Sequence, residues 1–316
     1  ETNGDGVFNS GDYILFYGQG NVTWSYNKLT DRYQHVKHPY CDEGFYFVTT
    51  SDAPGKRMSV LNYNSQNADF TTSTADVNLF WDDDVQNPNS TGRLKFGELL
   101  PAGEMRTMEF TFPAPRVSTE NMIIQTQVVG YQTSEEPQCS FEFTVGETPI
   151  HRTYLVGYSP NSYTEVWDMK SQTTRKILQQ ETINLSSKFL ASSIAARGAM
   201  DYIRLTSRVR LTLSNSSLII FSDPKNIQAN SIKQFQIEGN NIQIWNTNDF
   251  YNPKVIATET EGNTVKWKHP NDSNYFFVAF NNAGINAVQD LGSIPNQDIH
   301  GMSTPDMIII TAPLFN

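Results

Sequence analysis

The sequence predicts an all-β protein, an antiparallel β-sandwich or jelly roll with a small N-terminal β subdomain. Three observations support this fold class. Apolar and polar residues alternate with a period of two in several segments, most clearly over residues 202–213. Helical periodicity is scarce, and turn residues such as those at 238–241 separate the strand candidates. Strands that follow one another at turn-limited spacing, without intervening helices, build antiparallel sheets.

The segment 202–213 is the strongest strand candidate. Its apolar residues share one face, and they are Ile203, Leu205, Val209, Leu211 and Leu213. Polar residues occupy the other face, among them Arg204, Thr206 and Arg208. Since successive side chains of a strand point to opposite faces, this pattern predicts a half-buried strand.

Other segments rich in β-branched and aromatic residues are also predicted strands. They are residues 13–17, 45–49, 108–112, 121–129, 140–145, 154–157, 218–222, 232–237, 242–245 and 275–280. One short segment, residues 192–199, is a moderate helix candidate.

The chain has 316 residues, which suggests two domains or one large domain with a smaller companion. A polar stretch at 62–74 separates a small N-terminal β subdomain (1–68) from the main sandwich (69–292). Residues 292–305 contain two prolines and two glycines and are typical of a linker. The apolar run that follows predicts the first strand of a truncated α/β domain, so that residues 293–316 form linker and strand.

Composition excludes two classes of protein. The formal net charge is −10, from 33 acidic and 23 basic residues, and no basic patch of the kind that binds nucleic acid is visible. No stretch of about 20 apolar residues occurs, so no transmembrane segment is predicted. Abundant uncharged polar residues are typical of a secreted or envelope β protein.

The first twelve residues carry the sharpest local motif, a spacing similar to that of an EF-hand calcium loop. Its candidate Ca²⁺ ligands are Asn3, Asp5, Val7, Asn9 and Asp12, with Gly6 at the turn. Glu at position 1 and Asp at position 12 depart from the motif, and a strand is predicted where the exiting helix would be. An ordinary Asn/Gly/Asp turn is the alternative. The acidic run 82–84 is either a second cation site or a solvated loop.

Two cysteines are too few for a disulfide framework or a common zinc site. Cys41 and Cys139 form either one bridge or two separate thiols. His38 lies three residues before Cys41, but local proximity is poor evidence for a catalytic pair, and no catalytic residue is assigned. The tryptophans allow two interpretations, a sugar-stacking face or a sandwich core. They are Trp24, Trp81, Trp167, Trp245 and Trp267.

Six segments, taken in order, resemble the N-terminal region of PorU-type sortases of the Bacteroidetes type IX secretion system, relatives of the gingipain peptidases. They are residues 3–18, 38–47, 92–98, 200–203, 244–249 and 304–311. Each segment alone is weak evidence for the resemblance. Their order along the chain makes the set specific for this family. Lys95 and Asn246 depart from the residues expected there, an aromatic and an aspartate.

The resemblance implies an envelope cysteine endopeptidase and transpeptidase that removes the C-terminal signal domain of secreted cargo. Its catalytic His and Cys would follow the opening strand of the peptidase domain, outside this chain. The chain is therefore expected to be a non-catalytic accessory β region at the outer membrane, cell surface or periplasm. Its expected partners are the peptidase domain, cargo signal domains and outer-membrane secretion components. The alternative is a carbohydrate-binding or adhesin-like module of a surface protein.

Overall fold

The protein is all-β, as the alternating sequence pattern predicts. The computed structural model describes residues 9–49, 55–87, 94–131, 138–156, 167–295, 301–307 and 309. Within these ranges, twenty strands form four sheets, and a short 3-10 helix occupies Asn282–Gly284. No α-helix occurs among the described residues.

The largest sheet has ten strands and forms the backbone of the fold. Nine strands lie side by side in the order β11 (Asp168–Ile177), β8 (Asn121–Tyr131), β13 (Arg197–Arg210), β5 (Thr74–Asp82), β14 (Leu218–Ser222), β20 (Phe276–Phe280), β16 (Gln243–Asn246), β17 (Lys254–Ile256) and β3 (Val60–Leu61). The tenth, β6 (Leu100–Pro101), pairs with the start of β13. All pairings in this sheet are antiparallel except that of β17 with β3.

Two four-stranded sheets cover one face of the large sheet. The first has the order β10 (Thr148–Val156), β9 (Gln138–Val145), β12 (Thr182–Leu190) and β7 (Met105–Thr111). The second has the order β18 (Glu259–Glu261), β19 (Thr264–Pro270), β15 (Ile232–Glu238) and β4 (Phe70–Thr72). Strands β15 and β4 run parallel.

A continuous apolar core joins the three sheets into a sandwich. Phe141, Phe189 and Leu205 belong to its first half, and Phe235 and Trp267 to its second. The rings of Phe235 and Trp267 stack at 5.1 Å. Burial of these large side chains is the dominant favourable term in the folding free energy.

A separate hairpin formed by β1 (Val22–Asn27) and β2 (Arg32–Lys37) lies on the other face of the large sheet. Tyr33 of this hairpin reaches Ser222 of β14, and the Tyr33 carbonyl accepts a hydrogen bond from Gln125 of β8. The hairpin therefore buries polar residues of the sheet that would otherwise face solvent.

Strand β13 differs from the prediction because both of its faces are buried. Ile203 and Leu205 point into the sandwich core, as expected. Arg204, Thr206 and Arg208, predicted for the polar face of a half-buried strand, are also buried. The hairpin covers part of this second face, which period-two alternation alone does not reveal.

Three predicted elements are wrong. Residues 13–17 and 45–49 show strand-like sequence but belong to no assigned strand, because no ladder with another described segment forms beside them. Residues 192–199 are not helical, and β13 begins within them at Arg197. Gly198 is a poor helix former, and its pairing with Gly130 of β8 places this segment in the sheet.

The chain divides into two compact units. The described residues up to Ile285 form the first, which contains all of the strands, and the second begins at Asn286. The domain boundaries near residues 68 and 292 stay predictions. In the second unit, Met307 and Ile309 of the predicted final strand are exposed and outside any strand, while Ile308 and Ile310 fall outside the described residues. No described helix has the length and apolar character needed to cross a membrane.

Candidate functional site: a charged layer beneath the N-terminal hairpin

Ionisable side chains are concentrated between the β1–β2 hairpin and the large sheet, and Lys233 of β15 joins them from the second four-stranded sheet. We call this set the charged layer. Its members are Tyr33, His35, Lys37, Asp76, Asp82, Arg204, Arg208, Asp223 and Lys233. Burial of charged groups is expensive unless each is paired and hydrogen-bonded.

Strand register brings the charges of β5 and β13 together. Arg208 lies opposite Asp76, and Thr206 lies opposite Asn78. Accordingly, Arg208 donates to Asp76 at 3.2 Å and the Thr206 hydroxyl donates to Asn78 at 2.6 Å. Directly opposed residues on neighbouring strands are close enough to pair in this way.

The first half of the charged layer is a hydrogen-bonded chain through His35. The Nε of Arg204 donates to His35 Nδ1 at 2.6 Å. Since that nitrogen accepts, His35 carries its proton on Nε2 and donates it to Asp82 at 2.7 Å. The imidazole therefore links the hairpin to a strand-borne arginine and a carboxylate.

Lys37 completes this half. Its ammonium group lies 4.0 Å from Asp82 and 3.0 Å from Asp84. The lysine therefore balances part of the negative charge of the acidic run 82–84. No group of three or more metal-ligating side chains lies together in the described part of the chain.

The second half of the charged layer is an ion cluster around Asp223. This carboxylate accepts from Arg208 at 2.5 Å and from Lys233 at 2.9 Å. Burial pushes the pKa of Asp223 upward, but the hydrogen bond and charge of Arg208 hold it below the usual value. Two cations thus balance the two carboxylates of Asp76 and Asp223.

Two carboxyl groups, Asp76 in the layer and Asp201 near it, have raised pKa values. Burial raises the pKa of Asp76 to about 6, against the opposing charge of Arg208. Burial, with the nearby charge of Asp82, raises the pKa of Asp201 to about 7, and Gln127 donates to this carboxyl at 2.6 Å.

The two cysteines are both free thiols, which answers the question the sequence left open. Cys41 donates to the Glu43 carbonyl at 3.0 Å, and His38 accepts from the Tyr40 amide. Cys139 is fully buried, and burial raises the pKa of its thiol to about 11. Such a thiol is protonated at neutral pH and is a poor nucleophile.

The predicted calcium loop is described only in part. Asn3, Asp5 and Val7 lie outside the described residues. The Asn9 amide donates to the Asp12 carboxylate at 2.9 Å, and the Asp12 amide donates back to the Asn9 carbonyl. This pair of bonds closes a turn, and calcium binding stays a prediction.

An open groove of about 560 Å³ lies elsewhere, along the first four-stranded sheet. It is lined by Gly103, Arg152 and the segment 190–194. Arg152 already pairs with Glu142 at 3.1 Å and donates to Ser140. The groove therefore has few converging polar groups and is weaker than the charged layer as a candidate site.

Sequence reasoning did not identify the charged layer. The sequence shows the acidic run containing Asp82 and places Arg204 and Arg208 on the polar face of β13. One sequence feature could have indicated a buried charged site. Arg204 and Arg208 lie on one face of a strand whose other face is apolar. Their partners Asp76, His35 and Asp223 lie far away in sequence, and only the strand register brings them together.

Comparison with solved structures identifies the fold. The chain superposes on the crystal structure of dimeric latent PorU from Porphyromonas gingivalis with a TM-score of 0.80 and 19% sequence identity, over 92% of this chain. This chain has a PorU-like fold. It spans 28% of the PorU chain, so most of that protein has no counterpart here.

Two further solved structures share much weaker similarity than PorU does. The C-terminal CBM6 of LamC from Zobellia galactanivorans matches with a TM-score of 0.25 and 20% identity, over 41% of this chain and 99% of that one. The delta-endotoxin Cry8Ea1 from Bacillus thuringiensis matches with a TM-score of 0.27 and 13% identity, over 34% of this chain and 19% of that one. No family model and no curated protein matches the sequence.

Proposed function

We propose that this chain is the accessory, scaffold β region of a PorU-like sortase of the cell envelope. The observation that carries the proposal is the PorU-like fold over 92% of the chain. The ordered sequence segments that resemble PorU-type sortases support it independently. In this role the chain positions a gingipain-type cysteine peptidase domain that cleaves the C-terminal signal domain from secreted cargo at the outer membrane.

The arrangement of ionisable groups agrees with a scaffold role. Cys41 is bonded to a local carbonyl, and Cys139 is buried with a raised pKa. A cysteine peptidase needs a thiolate, a histidine base and oxyanion donors at one site. The charged layer instead uses its histidine to link the hairpin to two strands of the sheet.

The tryptophans favour the scaffold over a carbohydrate-binding or adhesin-like module. Trp245 and Trp267 are buried in the sandwich. Trp24, Trp81 and Trp167 are each partly buried, and their contacts include Phe80, the main core and Tyr131. A sugar-stacking platform requires exposed, coplanar rings, and none of the five tryptophans is exposed.

The test is a cleavage assay against a cargo protein that carries a C-terminal signal domain. The purified chain is compared with the same chain joined to the peptidase domain of its parent protein, and with Cys41→Ala and Cys139→Ala variants. We expect no cleavage by the chain alone and cleavage by the joined form. Cleavage by the chain alone that disappears with either substitution would refute the scaffold role.

A further inference from the structure

Residues 45–48 form an unusual apolar surface. All four side chains are exposed, with 61% of Phe45, 50% of Tyr46, 82% of Phe47 and 78% of Val48 open to solvent. The four residues are consecutive, so their exposed side chains form one contiguous apolar surface. A contiguous apolar surface of this kind marks an interaction site in soluble proteins.

The segment is anchored to the folded unit along one side. It follows β2, runs beside the residues that precede β1, and places the rings of Tyr46 and Phe16 at 4.9 Å. Near Phe16, Leu15 and Tyr17 pack against the cluster formed by Trp245, Val278 and Phe280. The apolar side chains of residues 45–48 are therefore presented from a fixed support.

The backbone of residues 45–48 also lacks strand partners. The sequence predicts a strand here, yet no ladder and no backbone–backbone hydrogen bond is found at these four residues within the described part of the chain. Amide and carbonyl groups without backbone partners are a template for an added strand. Strand addition obtains affinity from main-chain bonds and specificity from alternate side chains.

Acidic residues beside the segment favour a partner strand that carries basic residues. Asp42 and Glu43 directly precede the segment and are exposed. The Asp42 carboxylate accepts a weak bond from Asn21 at 3.3 Å, and the whole chain carries a net charge of −10. A partner with basic residues beside its apolar strand would complement this rim, while an acidic one would be repelled.

We propose that residues 45–48 are the docking edge for one extended strand of a partner protein. That strand presents apolar side chains at alternate positions and carries lysine or arginine at the end next to Asp42 and Glu43. The proposal goes beyond the scaffold role and does not depend on it, because it rests on this segment alone.

The probe is a fluorescent peptide of alternating threonine and valine with lysine at both ends, and binding to the whole chain is measured by anisotropy. Three related peptides are compared: one with glutamate at both ends, one with backbone methylation on alternate amides, and the unlabelled parent as competitor. We expect saturable binding of the lysine peptide, weakened on the order of tenfold in the glutamate peptide and lost on methylation. Higher salt should weaken the binding of the lysine peptide.

Two variants localise the binding. Phe47→Ser removes an exposed apolar side chain without opening the core, and it should abolish binding. The matched control is Leu29→Ser, which changes a 97% exposed residue at the far end of the hairpin. Circular dichroism verifies that both variants are folded.

Three outcomes would overturn the proposal. The first is no binding of any peptide, and the second is equal binding of the methylated peptide, which would indicate non-specific apolar contact. The third is self-association in sedimentation experiments that Phe47→Ser removes, because the occupant of the edge would then be a second copy of this chain.

Discussion

At the scale of single residues, Arg208 is the centre of the buried ion cluster. Its guanidinium group contacts Asp76 and Asp223, and only 4% of its side chain is exposed. A buried ion pair is weak evidence for added stability, but loss of one partner leaves an uncompensated charge. Substitution of Arg208 alone should therefore lower the free energy of unfolding.

We predict that Arg208→Met destabilises the fold by about 3–5 kcal/mol, because Asp223 and Asp76 lose their shared cation. Urea unfolding followed by circular dichroism measures the change. The control is Arg175→Met, which removes an exposed pair with Asp31 and should cost less than about 1 kcal/mol. Equal effects of the two substitutions would contradict the assignment of Arg208 to a buried cluster.

Asp201 makes stability depend on pH. Its pKa is raised from 3.8 to about 7 by burial and by the charges of Asp82 and Asp84, with Arg204 and Gln127 opposing. Between these values the native carboxyl holds a proton that the unfolded chain has released. The contribution of Asp201 is thus fully present below pH 3.8 and is lost as the pH rises through 7.

We predict that Asp201→Asn stabilises the protein at pH 8 by on the order of 1–2 kcal/mol, since the site retains some contact with solvent, and leaves it unchanged near pH 3. Chemical unfolding across this pH range measures the effect. Glu147→Gln removes one exposed negative charge and serves as the control. Parallel pH profiles for Asp201→Asn and the parent chain would exclude Asp201 as the responsible group.

Calcium binding by the first twelve residues is a further prediction at this scale. Calcium should raise the melting temperature of the parent chain, because a ligand that binds only the native state stabilises it. Asp5→Ala should remove this increase, and Asp42→Asn, which changes a carboxylate outside the loop, should preserve it. If calcium does not change the melting temperature of the parent chain, the first twelve residues form an ordinary turn and no calcium site.

At the scale of elements, the contact between β8 and β13 depends on two glycines. Gly130 and Gly198 lie opposite each other in the ladder. A Cβ atom on Gly198 would lie 2.5 Å from the Phe189 ring, and one on Gly130 would lie 2.5 Å from Leu155. The paired glycines therefore let the large sheet approach the first four-stranded sheet closely.

We predict that Gly198→Ala destabilises the protein by about 1–3 kcal/mol through overpacking against Phe189 and Phe141. Gly20→Ala is the control, since no atom lies within 4 Å of its added Cβ. Adding Phe189→Leu should recover part of the stability, which a double-mutant cycle would measure by urea unfolding. Additive effects of the two substitutions would contradict a direct clash.

At the scale of the whole molecule, one apolar core runs through both halves of the sandwich. Its members include Cys139 and Phe141 in the first four-stranded sheet and Phe235 and Trp267 in the second. Elements that share a core tend to unfold together, and Cys139 is a natural reporter because none of its surface is exposed.

We predict that a thiol reagent labels Cys139 only on global unfolding. In a Cys41→Ser background, labelling should follow the loss of circular dichroism across a urea titration, whereas Cys41 in a Cys139→Ser chain should react under native conditions because it is partly exposed. Labelling of Cys139 well before the circular dichroism changes would show that the first four-stranded sheet opens independently.

Local patterns predicted much of the fold. The alternation of Phe141, Phe143 and Val145 identified β9, and the same pattern identified one face of β13. The scarcity of helical periodicity predicted the all-β class. Residues 13–17 and 45–49 were misassigned because a strand requires a neighbouring strand, and local sequence does not contain the neighbour.

The sequence by itself determined the fold class, most of the strands and the apolar face of β13. Only the tertiary structure decided that the polar face of β13 is also buried, and that His35, Asp82 and Arg204 meet beneath the hairpin. The physical reason is that alternation depends on adjacent residues, whereas the pairing of charges depends on the register between strands that are distant in sequence. Only the tertiary structure shows, too, that residues 45–48 pair with no strand in the described part of the chain.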